Sequence, residues 1–171
     1  MDARKYYNAI ARGYDELYGE EQIKKLEFAL NKGLSFSGKK VIDVGCGTGI
    51  ITEKIVSLGA VEVVGLDISE KMIEIARKRV PSAKFIVSDA LNIPYPDCHF
   101  DLCVSFTVMQ DIPKERWKDF VNECVRVSKE AWISVLKRNK DMKEIFEIVG
   151  RRPEKFWEEE KDILMVFKNF C

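Results

Sequence analysis

The chain has 171 residues, with 28 basic and 28 acidic side chains, five cysteines and one histidine. This length can bury a core without covalent staples, and the charge balance provides no global field to draw the chain onto nucleic acid or an anionic membrane. No leader pattern and no apolar run long enough to span a bilayer is visible, so a soluble cytoplasmic protein is expected. Cys46, Cys98, Cys103, Cys124 and Cys171 form no CxxC pair, which argues against a metal site and against a disulfide framework.

Two helical patterns open the chain. Residues 3 to 12 precede Gly13, and residues 21 to 32 carry Ile23, Leu26, Ala29 and Leu30 ahead of Gly33. Strand and helix then alternate. Strands are predicted near 41–44, 62–66, 84–88, 100–106 and 130–136, and helices near 48–58, 69–79, 113–127 and 140–149. Pro113 suits the first turn of the third of these helices. A final pair of strands, about 155–158 and 162–169, reads as a hairpin. Alternating βα units imply a parallel sheet with right-handed crossovers, and the hairpin makes its last strand antiparallel.

Four segments carry chemistry. The first strand, Val41 to Val44, contains one carboxylate, Asp43, and runs into Gly45, Cys46, Gly47, Thr48 and Gly49. A strand ending in such a loop presents bare backbone at the carboxyl edge of a sheet, where open α/β folds bind ligands. A dinucleotide fingerprint would need its third glycine at position 50, which is Ile50. The second segment, residues 61–67, ends in Asp67, about twenty residues beyond the glycine loop, where a ribose-gripping acid belongs. Ser69 follows as a helix cap. The third, residues 84–90, ends in Asp89 and Ala90. The fourth, residues 100–106, contains Ser105 and leads into residues 107–113.

In this order the motifs resemble the class I S-adenosylmethionine-dependent methyltransferases, over roughly residues 5 to 136. The resemblance implies a three-layer αβα sandwich around a mostly parallel seven-stranded sheet. It implies one domain over 1–171, with 1–35 a helical cap and 36–171 a Rossmann-like core. S-adenosyl-L-methionine is the implied cofactor, held by Asp43, Gly45, Cys46, Gly47, Gly49, Asp67, Ile68, Asp89, Ala90 and Ser105. In the family's pattern Asp67 takes the ribose hydroxyls, Asp89 the adenine amine, and the Ala90 amide a ring nitrogen. Tyr14, in residues 6–15, resembles the family's cofactor-covering residue. Alternatively Tyr6, Tyr7 and Tyr14 simply pack a helix on the sheet edge.

No catalytic residue is assigned. Methyl transfer from a sulfonium needs alignment and exclusion of water more than acid–base chemistry. The amide- and adenine-methylating motif is absent after the fourth strand, as is a Pro-Cys nucleophile, and Gln110 cannot serve as a base. His99 reads as a turn residue. Asp111 and Glu21 are acids near the mouth, with helix capping the expected job for Asp111. Lys137-Arg-Asn-Lys140 and Arg151-Arg152 could hold phosphate or an RNA backbone, or be solvated surface. The methyl acceptor, whether small molecule, RNA or protein, is not specified by the sequence. The resemblance puts the third strand, Phe85-Ile-Val87, at an open edge, where a small zinc-binding activator pairs in several minimal relatives that act on the translation apparatus. The other alternative is a non-catalytic subunit that keeps the cofactor site.

Overall fold

A computed structural model describes residues 2–138 and 140–171; Asn139, in the basic 137–140 segment, lies outside the described residues. The helices are α1 (Ala3–Ile10), α2 (Tyr14–Asn31), α3 (Ile50–Ser57), α4 (Glu70–Arg79), α5 (Trp117–Arg126) and α6 (Met142–Val149). The strands are β1 (Lys40–Val44), β2 (Glu62–Asp67), β3 (Lys84–Val87), β4 (Phe100–Phe106), β5 (Ser128–Leu136), β6 (Lys155–Glu158) and β7 (Asp162–Lys168). They form one sheet in the order β3-β2-β1-β4-β5-β7-β6. The first five strands are parallel, and β7 runs antiparallel to both of its neighbours. Among the described residues no helix is long and apolar enough to cross a membrane.

Alternation along the strands builds both cores. On β5, Ala131, Ile133 and Val135 face α5 and α6, while Trp132 faces the α2 and α3 side. On β7, Ile163, Met165 and Phe167 join the first layer and Leu164 and Val166 the second. Both faces of the central strands are therefore dry, which is why β1 reads as a nearly continuous apolar run. Sequential strands step outward from β1 to β2 and β3, then return to the other side at β4. The crossovers leave β1 and β4 in opposite directions, so a crevice opens above their carboxyl ends.

Three expectations need correction. The second helix begins at Tyr14 rather than near 21, because its first turns face the crevice and show sheet-packing periodicity only from Ile23 onward. Pro113 precedes a 3-10 turn at Lys114–Arg116, and α5 proper starts at Trp117. The absence of local cysteine pairs also misled, since Cys98 and Cys171 form a disulfide across 73 residues. The end of β7 and the turn before β4 meet at the amino edge of the sheet. There the Cys98 amide donates to Arg126 O at 2.8 Å and the Asn169 amide to Lys129 O at 2.8 Å. The remaining cysteines, Cys46, Cys103 and Cys124, are buried.

Candidate active site

A cavity of about 210 Å³ lies at the carboxyl ends of β1, β2 and β4, between Gly45 and Gly47, Asp67 and Ile68, Asp89 and Ala90, and the 106–113 segment. Tyr7 and Tyr14 close it from the α1–α2 side. Each wall follows from local geometry. Gly45, Gly47 and Gly49 all have positive φ, conformations that glycine reaches without a Cβ penalty. At Gly45 there is a second reason, because a Cβ would sit 2.1 Å from Cγ2 of Val108. The loop after β4 therefore rests directly on the glycine loop.

Thr107 makes that close approach possible. It is a β-branched residue at φ 57°, a conformation costing about 1–3 kcal/mol that persists only where its surroundings fix it. Its amide donates to Ser134 Oγ at 3.0 Å, and its hydroxyl donates to Phe106 O at 2.7 Å and accepts from Gln22 Nε2 at 2.8 Å. The strained residue turns the chain so that Val108 drops over Gly45.

Asp67 is 9% exposed and accepts from the Gly47 and Ser69 amides, both at 2.9 Å. Burial raises its carboxyl above the ordinary range, against backbone hydrogen bonds from Ser69, Gly47 and Ile68 that favour the carboxylate. Ser69 caps α4 by accepting from the Met72 amide at 3.2 Å, and donates to Asn8 Oδ1 of α1 at 2.6 Å. Asp89 accepts from the Leu91 amide at 2.9 Å. Behind the glycine loop, Asp43 and Cys46 border a recess of about 20 Å³, room for roughly one water or ammonium group. Asp43 is 3% exposed and accepts from Thr52 Oγ1 at 2.8 Å. Burial lifts its carboxyl to about 7, Asp67 adds to the rise, and the Thr52 hydrogen bond opposes it.

Of the residues the sequence singles out, Tyr14, Gly45, Gly47, Asp67, Ile68, Asp89 and Ala90 line the main cavity, and Asp43 and Cys46 the recess behind it. Two stand outside both. Ser105 is fully buried and donates to Val44 O at 2.9 Å, tying β4 to β1. Gly49 packs on Ala76 of α4, 3.2 Å from where its Cβ would be. Neighbouring Phe106 supplies the wall instead. Tyr7, Val108 and Ile112 line the cavity without having been singled out for it. For Tyr7 a signal existed, since Tyr7, Tyr14 and Tyr18 are spaced seven and four apart, one face of a helical path.

Asp111 does not cap a helix as expected; its carboxylate accepts from Tyr7 Oη at 2.5 Å. His99 packs between Tyr95 and Phe100, away from the cavity. Glu21 pairs with Lys25 at 3.1 Å. In the basic loop Lys137 pairs with Glu158 at 3.1 Å and Lys140 with Glu144 at 2.7 Å. Arg151 donates to Lys168 O at 3.4 Å, at the sheet's opposite edge. These cations do not converge on the cavity.

A family described as "Methyltransferase domain" matches residues 41–131. A demethylmenaquinone methyltransferase of Thermotoga maritima is 38% identical over 134 residues, covering 74% of this chain and 57% of that protein. The chain spans 26–57% of the length of the curated relatives it matches. Among solved structures, magnesium protoporphyrin IX methyltransferase from Synechocystis PCC 6803, with bound SAH, superposes with a TM-score of 0.76. It is 16% identical, and 95% of each chain is covered. A Haloferax volcanii putative methyltransferase, in complex with the Trm112 methyltransferase activator, gives 0.74 at 16% identity, covering 95% of this chain and 96% of that one. The strand order, the glycine loop after β1 and the family match agree: the chain belongs to the methyltransferase-domain family, in its class I fold.

Proposed function

We propose that the chain is an S-adenosylmethionine-dependent methyltransferase with a small-molecule acceptor. The observation that carries this is the single cavity joining the glycine loop, Asp67 and Asp89 in that order along the carboxyl edge. The residues fit the cofactor. Asp67 would accept the ribose hydroxyls, Asp89 the adenine amine, and the Ala90 amide would donate to a ring nitrogen. Gly45 and Gly47 would lay backbone against the methionine portion, Tyr14 would cover it, and Asp43 would take its ammonium group across the small recess. The bound sulfonium brings an activated methyl group, so the chain's task is to align and to exclude water. Residues 1–171 act as one domain, 1–35 as its cap, and the cytoplasm is the proposed location.

The acceptor is proposed to be small because the cavity is enclosed by Tyr7, Tyr14 and the 106–113 segment, and because Lys137 and Lys140 of the basic loop are paired with acids while Arg138 reaches the Gln110 carbonyl. Calorimetric titration tests the cofactor. Heat with S-adenosylmethionine and S-adenosylhomocysteine, and none with NAD, is expected; binding of NAD alone would overturn the reading.

The β3 edge favours a second reading, an activator protein seated there; the Haloferax putative methyltransferase is in complex with a methyltransferase activator. Val87 on this strand is 39% exposed, an unpaired apolar edge of the kind proteins normally protect. Arg77 of α4 reaches over to donate to Phe85 O at 3.2 Å, which partly blunts that edge. A monodisperse chain that binds S-adenosylmethionine unaided would remove the need for an activator.

A further inference from the structure

The roles above leave one wall of the cavity unused. Tyr7 of α1 and Asp111 of the post-β4 segment meet there, 104 residues apart, Tyr7 Oη donating to Asp111 Oδ2. Tyr7 is half-buried and Asp111 is exposed at the rim, so the pair leads from the cavity to water. Asp67, Asp89 and Asp111 all line the cavity, and among the described residues no Lys, Arg or His lines it. Among the neighbouring cations, Arg79 pairs with Asp15, Lys137 with Glu158, and the Arg138 guanidinium is 3.5 Å from Gln110 O. Asp67 and Asp89 are engaged by the cofactor on the reading above, whereas Asp111 is not.

The aromatic surroundings have the same polarity. Tyr6 and Tyr7 pack edge to face at 5.1 Å, Tyr7 and Tyr14 at 6.3 Å, and Tyr14 lies 5.1 Å from Tyr18. The Tyr18 hydroxyl returns to that of Tyr6 at 3.2 Å, closing a ring of four tyrosines. Electron-rich ring faces and a carboxylate attract cations and tolerate neutral donors. They repel an acceptor that carries its own carboxylate or phosphate.

We propose that Tyr7 and Asp111 form the acceptor subsite, taking a small amine or hydroxyl compound without negative charge whose N–H or O–H donates to Tyr7 Oη. The acceptor, present as the free amine or the alcohol, uses its lone pair to form the bond to the methyl carbon as the sulfur–methyl bond breaks and its electrons return to sulfur; an ammonium first loses one proton to water. The acceptor's proton passes to Tyr7 Oη while the Tyr7 proton passes to Asp111 Oδ2. The sulfonium's positive charge and the Asp111 negative charge vanish together, and Asp111 releases its proton to water at the rim. Burial holds the Tyr7 phenol far above its usual range, with the Asp111 hydrogen bond adding to the rise, so Tyr7 relays as a neutral phenol.

The proposal rests on the methyltransferase reading, and the experiment separates the two. The full chain, saturated with S-adenosylhomocysteine, is titrated with benzylamine, phenol and benzoate, three probes with one ring and different charge. Benzylamine or phenol should bind at least about tenfold more tightly than benzoate. Asp111→Asn should erase that preference for benzylamine, and Tyr7→Phe should weaken phenol relative to benzylamine, in chains that still fold by circular dichroism; the ratios between probes are the readout, because loosening α1 lowers the affinity of every ligand beneath it together. Benzoate binding as well as the others, a preference that survives both substitutions, or no saturable binding of benzylamine or phenol at millimolar concentration would overturn the subsite. If S-adenosylhomocysteine itself does not bind, the methyltransferase reading fails instead. The same probes on the unliganded chain then still decide the subsite, because Tyr7 and Asp111 meet within it.

Discussion

Asp43→Asn should stabilise the unliganded protein while weakening its hold on the cofactor. In the unfolded chain this carboxyl titrates near 3.8, and in the fold burial moves it to about 7. Below about pH 4 both states hold the proton and the group contributes little. As pH rises from about 4 to 7 the unfolded chain releases its proton first, so the folded state loses stability, and above 7 the loss is complete. A displacement of about 3 pH units corresponds to about 4 kcal/mol at most. Asparagine keeps the shape and can still accept from Thr52 Oγ1, but carries no charge to desolvate. Urea unfolding without ligand should therefore show the variant more stable by about 2–4 kcal/mol at pH 8, shrinking to about 1 kcal/mol at pH 4.5. S-adenosylmethionine affinity, measured by calorimetry at pH 8, should fall in the same variant. A variant no more stable than wild type at pH 8, or one with an unchanged pH slope, would refute the reasoning.

Asp67→Ala should weaken cofactor binding by about 1.5–3 kcal/mol, the loss of charge-assisted hydrogen bonds, in a chain that still folds by circular dichroism. Gly45→Ala should abolish binding, because the new methyl collides with Val108 Cγ2 at a backbone φ of 75°; adding Val108→Ala should relieve the collision but not the backbone strain, so calorimetry should show partial recovery. Cys171→Ser should lower stability by up to about 4 kcal/mol, from the closed loop of 73 residues, or roughly 10 °C in thermal midpoint. Cofactor affinity should be unaffected by that change, since the disulfide lies at the opposite edge of the sheet.

Much of this architecture was legible because it is written locally. Strand and helix boundaries from β1 to β7 fall within a few residues of expectation, since apolar runs and their punctuating glycines decide them. That Asp67 and Asp89 meet at one cavity was legible from their register behind the glycine loop. What escaped depends on contacts between distant segments. Tyr7 is marked in sequence only by its helical spacing from Tyr14 and Tyr18, and Asp111 only as an acid near the mouth; their pairing arises when α1 folds over the loop after β4. Ser105 sits beside the site in sequence, yet the pleat of β4 turns its hydroxyl to Val44 O and gives the wall to Phe106. The positive φ of Thr107, a residue type that avoids it, has no sequence signal. The Cys98–Cys171 pair likewise depends on where β7 ends, which spacing alone does not specify.

The attachment of α1 sets how ligands exchange. The helix has eight residues and none of them is buried, too short to persist alone. It is held across the crevice through Tyr7 to Asp111 and Asn8 to Ser69. A ligand that enters by undocking α1 would meet an equilibrium in series with its own binding, and its apparent dissociation constant would be the intrinsic one divided by the docked fraction. Loosening either tether raises the escape rate without altering a single contact made by Asp67 or Asp89. Residence time and equilibrium specificity are thereby assigned to different parts of the chain, the first to two hydrogen bonds of a surface helix and the second to the strand ends beneath it.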